Sequence, residues 1–123
     1  MKASELRIGN WVEMYKEESK PFKISAGNIS VEYKANKQGY TRYKPIPLTE
    51  EWLIRFGFED VQINKTQVKC LTEYQFSFFF IDGHIQFVDS ENALDFTETL
   101  CQYVHQLQNL FFALTGEELK IKE

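Results

Sequence analysis

The sequence predicts an α+β fold: an antiparallel β-meander or partial barrel, with one short central helix and one C-terminal amphipathic helix packed on the sheet. Three observations predict it. Leu100, Tyr103, Val104, Leu107, Leu110, Phe111 and Leu114 recur at helical spacing, and Gly116 follows where a helix should stop. Residues 74–88 alternate around Asp82-Gly83, the strongest hairpin signal in the chain. No strand–helix–strand alternation asks for a parallel sheet.

Taken in order, Leu6–Tyr15 alternates after a Gly9-Asn10 turn, with Trp11 and Glu13 facing opposite to Val12 and Met14. Pro21 closes a polar turn, and Phe22–Ser25 reads as the returning strand. Ile29, Val31 and Tyr33 alternate, so Ile29–Tyr33 is expected to be a further strand. Lys34–Arg42 has no periodicity and is expected to be a loop. Tyr43–Leu48 is extended, because Pro45 and Pro47 exclude helix at the residues before them.

Thr49 is an N-cap candidate, with Glu50 and Glu51 in the first turn and Gly57 as the stop. That predicts a two-turn helix capping the core with Trp52 and Phe56. Strands follow around an Asn64-Lys65 turn. In the main hairpin Ile81 should oppose His84, Phe80 oppose Ile85, and Phe78 oppose Phe87. Tyr74, Phe76, Phe78, Phe80, Ile85 and Phe87 then share one face, the expected partner of the Leu107 helix. Asp89–Glu98 is acidic and poorly periodic, and is read as a connecting loop anchored by Leu94 and Phe96.

A chain of 123 residues that is 43% hydrophobic can bury a core without staples, so a single domain over 1–123 is expected. The longest apolar run, Phe78–Ile81, is too short to span a bilayer, and no secretory leader pattern opens the sequence. Two cysteines without framework spacing fit a cytoplasmic protein with reduced thiols. The net charge of −4 gives no global pull toward polyanions. It is unevenly spread, however. Residues 16–44 hold seven Lys/Arg against three Asp/Glu, whereas residues 45–118 hold three against twelve. Two electrostatically different faces follow.

Candidate chemistry is sparse. Cys101 and His105 stand four apart on the terminal helix, and Cys70 with His84 would complete a Cys2His2 set. The paired local spacing of structural zinc sites is missing, so no metal and no cofactor is expected. A Cys101–His105 nucleophile pair would need a lowered thiol pKa, which Asp95 and Glu98 oppose. Calcium-loop, phosphate-loop and nucleophile-elbow patterns are absent, so no catalytic residue is assigned.

Two surfaces remain. Tyr33, Lys34, Lys37, Tyr40, Arg42, Tyr43 and Lys44 interleave rings with cations, the ingredients of single-stranded nucleic acid binding. The competing reading is a solvated loop whose tyrosines fold back on the sheet. On the reverse side of the terminal helix, Cys101, His105 and Phe112 lie away from the leucine stripe, a modest surface for a protein partner or a second copy.

Leu6–Val12 (LRIGNWV), Pro45–Leu53 (PIPLTEEWL) with Phe56-Gly57-Phe58, and Tyr103–Leu119 resemble a family of small uncharacterised proteins from Bacteroidetes bacteria and their phages or mobile elements. The resemblance implies a bacterial or prophage accessory protein and carries no catalytic residue. The expected function is a non-catalytic protein-interaction module. The alternative is a nucleic-acid-associated accessory factor using residues 33–44. No membrane partner is expected.

Overall fold

A computed structural model describes the chain except residues 17–18, 64–65, 74–75, 82–83, 89–92 and 123. Of residues 61, 63, 66–67, 72–73, 76–78, 81, 84–88 and 93–100 it describes the backbone. The chain divides into two compact units: Met1–Pro47 with Tyr103–Glu118, and Leu48–Gln102 with Leu119–Glu123. The fold is α+β with antiparallel sheets.

The first unit opens with one 3-10 turn, Ala3–Glu5, followed by β1 (Trp11–Met14), β2 (Phe22–Lys23), α1 (Ala26–Lys37) and β3 (Tyr43–Pro45). The sheet order is β2-β1-β3, with Val12 opposite both Phe22 and Pro45. Leu6, Val12, Ile24 and Tyr43 form its core, against which Met1, Phe22 and Ile29 pack. The strand expected at Trp11–Met14 is present, with Val12 fully buried, whereas Met14 on the same expected face is exposed.

Residues 29–33 are a correction. They belong to α1, not to a strand, and the helix takes in the first part of the expected loop as well. Its stripe is weak because its buried positions are Glu32 and Ala35. Capping holds it instead. The Ser25 side chain accepts from the Asn28 amide, and the Asn28 side chain accepts from the Ser25 amide. Gly39, at φ 87°, lets the chain turn away after the last helical turn.

The second unit holds α2 (Glu50–Arg55) and a five-stranded meander, β4 (Glu59–Ile63), β5 (Thr66–Glu73), β6 (Phe76–Ile81), β7 (His84–Val88) and β8 (Ala93–Leu100). Thr49 caps α2 by accepting from the Trp52 amide, and Gly57 adopts φ 97° just beyond it. Trp52, Leu53 and Phe56 are buried, as the pattern predicts. Lys69 reaches Asp60 at 2.7 Å and Glu50 at 2.8 Å, and these bonds raise its pKa. The α2 N-terminus is thereby tied to the meander.

The β6–β7 register pairs Ile81 with His84, Phe80 with Ile85 and Phe78 with Phe87, as counted outward from Asp82-Gly83. That turn, the Asn64-Lys65 turn and Tyr74 lie outside the described residues. Residues 93–100 correct the expected connecting loop: they form β8, paired with β7 through Phe87 with Leu94 and Ile85 with Phe96. Leu94, Phe96 and Leu100 fall at even spacing, a trace of strand period that the acidic composition masks.

The terminal helix, α3 (Val104–Thr115), returns to the first unit. Val104, Leu107 and Phe111 of its stripe are buried, and Gly116 terminates it at φ 75°. It packs on β1. The phenylalanine hairpin, its expected partner, belongs to the second unit. Among the described residues no helix is long and apolar enough to cross a membrane.

Candidate functional site

Asn36 and Glu32 lie one turn apart on the side of α1 that meets the start of the chain, and together they build a groove. Asn36 accepts from the Ala3 amide at 2.8 Å and donates to the carbonyls of Met1 at 3.1 Å and Tyr40 at 3.2 Å. One side chain thus holds both the 3-10 turn and the segment leaving α1. Glu32, with no exposed surface, accepts from Thr41 Oγ1 at 2.8 Å and from the Arg42 and Tyr43 amides at 3.0 Å each. It also accepts from Asn36 Nδ2 at 3.3 Å. Residues 41–43 are therefore fixed from inside by a carboxylate.

Between the 3-10 turn and the C-terminal half of α1 lies an open groove of about 660 Å³, lined by Lys2, Ser4, Tyr33, Lys37, Tyr40 and Thr41 among others. Its volume falls in the range of small-ligand sites, roughly 300–1,000 Å³. Tyr33 and Tyr40 are 55% and 49% exposed. The Lys37 ammonium stands 4.6 Å from the Tyr33 ring centre. Cations and ring faces are thus presented side by side, and none of the lining residues carries a negative side chain.

The seven basic and aromatic positions are not one loop. Tyr33, Lys34 and Lys37 are helical, Tyr40 and Arg42 follow, and Tyr43 and Lys44 are in β3. Tyr33, Lys37 and Tyr40 meet in the groove, and Lys34 and Arg42 are exposed. Tyr43 is buried, packed edge-on against Phe22, and its hydroxyl accepts from Asn28 Nδ2 at 3.0 Å. It has no ring face to offer. Lys44 sits 3.7 Å from the Glu13 carboxylate. Sequence reading missed Lys2, Ser4 and the buried carboxylate. The signal for Glu32 and Asn36 was their i,i+4 spacing, visible only once residues 26–37 are read as helical.

The other three positions separate likewise. Cys101 and His105 are buried, whereas Phe112 is 40% exposed beneath the Arg7 guanidinium, whose carbon is 3.9 Å from the ring centre. Arg7 is held there by Glu118 and by Asn109 Oδ1 at 3.0 Å. Burial pushes the Cys101 thiol up to about 11, so it is protonated at neutral pH, the wrong state for a nucleophile. The His105 ring stacks on Tyr103, with Nε2 3.7 Å from the Glu5 carboxylate and Nδ1 buried with no partner among the described residues. Burial lowers its pKa, against the smaller opposing pull of Glu5. Cys70 is buried, and the His84 side chain lies outside what is described.

No family model matches the chain, and no curated protein or solved structure matches it either.

Proposed function

We propose that this protein is a non-catalytic interaction module that captures an extended, negatively charged partner in the groove between the 3-10 turn and α1. The observation that carries this reading is the meeting of Tyr33, Tyr40, Lys2 and Lys37 around one open cleft. Exposed rings and ammonium groups in a cleft whose lining carries no acidic side chain attract polyanions, even on a chain whose net charge is −4. The internal anchoring of residues 41–43 by Glu32 and of the Tyr40 carbonyl by Asn36 supports a preformed surface, which binds without first ordering a loop. We place the protein in the cytoplasm, where two buried cysteines outside any disulfide are at home. The resemblance of its end segments supports a bacterial or prophage accessory role.

Tyrosine nitration tests the reading. Heparin should protect Tyr33 and Tyr40 but leave Tyr15, 67% exposed, reactive. Raised salt or Lys37→Ala should remove the protection. Equal reactivity of all three tyrosines with and without heparin would refute it.

A second reading rests on Phe112. A half-exposed ring under a guanidinium that Glu118 and Asn109 hold in place is a contact feature for a protein partner or a second copy. Light scattering on the wild type and on Phe112→Ser checks self-association, and a monomer in both would dispose of that version.

A further inference from the structure

We infer that the groove partner is a single-stranded nucleic acid, its bases stacking on Tyr40 and Tyr33 and its phosphates held by Lys37 and Lys2. This rests on the proposed reading of the groove as the working surface and narrows the class of partner. Charge alone would suit any polyanion, so the rings decide. Both line the cleft, and both are about half exposed, while Tyr43, the one neighbouring tyrosine used by the core, is buried. Half-exposed rings that stand among ammonium groups are what a chain of bases and phosphates recognises. An acidic peptide would use the cations and leave the rings idle.

The Lys37–Tyr33 contact does not block this. At exposed sites such a contact is worth roughly a factor of 2 to 5, whereas stacking one base on a ring is worth roughly a factor of 5 to 150. The ammonium can therefore swing from the ring to a phosphate and leave the ring to a base. Duplex nucleic acid is disfavoured, because its bases are already stacked and present only edges.

The experiment compares the intact protein's binding of a fluorescent oligo(dT), an abasic strand with the same number of phosphates, and poly-glutamate. Oligo(dT) should bind roughly 5- to 150-fold tighter than the abasic strand. Tyr40→Ala should erase most of that difference, and Tyr40→Phe should keep it. Lys37→Ala should weaken both strands and reduce the slope of log K against log salt by about 0.7. An unchanged thermal melt for each variant separates lost binding from lost fold. Equal binding of the two strands, with heparin protection of Tyr33 and Tyr40 intact, would overturn the nucleic-acid inference and leave the groove reading standing. Poly-glutamate binding as tightly as oligo(dT) would overturn it in favour of an acidic polypeptide. Loss of heparin protection as well would remove both.

Discussion

Glu32 is a carboxylate without solvent and with four donors aimed at it: Asn36 Nδ2, Thr41 Oγ1 and the amides of Arg42 and Tyr43. Acceptors of this kind are costly to remove, since each buried donor left behind forfeits about 1–3 kcal/mol. Glu32→Ala should therefore destabilise the fold by about 2–4 kcal/mol in urea unfolding, with Glu32→Gln, which retains one oxygen, costing less. His105 is the opposite case, a group whose charge burial resists. Its folded pKa lies below the ordinary 6.5, so the unfolded chain binds the extra proton. Stability is whole above pH 6.5 and declines as pH falls through the window below it, by at most about 1.4 kcal/mol per pH unit. His105→Leu should flatten the urea midpoint between pH 7 and pH 5. A slope equal to that of the wild type would show that the imidazole is not the titrating group.

At the scale of elements, the terminal helix is fastened by polarity as much as by its stripe. Gln108, 1% exposed, accepts from the Trp11 amide at 2.9 Å and donates to the Gly9 carbonyl at 3.1 Å. Its neighbour Asn109 donates to the Glu5 carbonyl at 2.9 Å, so α3 grips both β1 and the 3-10 turn. Gln108→Leu keeps the volume and deletes both bonds. It should cost about 2–3 kcal/mol, measured as a lowered urea midpoint with unchanged helical circular dichroism. The stripe of α3, the cap of α2 and the β6–β7 register were all legible, because each is a local pattern of apolar residues, hydroxyl caps or a turn pair. The first helix was not. Its alternating Ile29, Val31 and Tyr33 mimic a strand, and the residue that anchors it is a buried acid, which no hydrophobic count can see. Ser25 followed by Asn28, with Gly39 after the last turn, was the readable signal. The groove was legible only in composition. Tyr33, Lys37 and Tyr40 were visible as rings and cations, but their meeting with Lys2 and Ser4 depends on Asn36 bridging distant segments.

For the molecule as a whole, the first unit is made from two ends of the chain, Met1–Pro47 and Tyr103–Glu118, with the five-stranded meander inserted between them. The insertion point is narrow. Pro47 pairs antiparallel with Tyr103, and the Val104 amide donates to the Ile46 carbonyl at 2.9 Å. Two segments already side by side at a single β-bridge need only a tight turn to join them. Replacing residues 48–102 by Asn-Gly and ending at Glu118 should therefore close the unit through a two-residue turn that leads into α3. Such a chain of about 65 residues retains the Leu6, Val12, Ile24 and Tyr43 core and the buried Val104, Leu107 and Phe111 of α3. At that size the folded state is marginal but attainable, since small domains bury about 60% of their unfolded surface. Cooperative urea unfolding, with a shallower slope than the full chain because less surface is exposed, is the expected result. The same shortened protein should still show heparin protection of Tyr33 and Tyr40, because every residue of the groove lies within it. A non-cooperative melt would mean that the inserted meander contributes to the first unit's stability, and the groove would then have to be assigned to the whole chain.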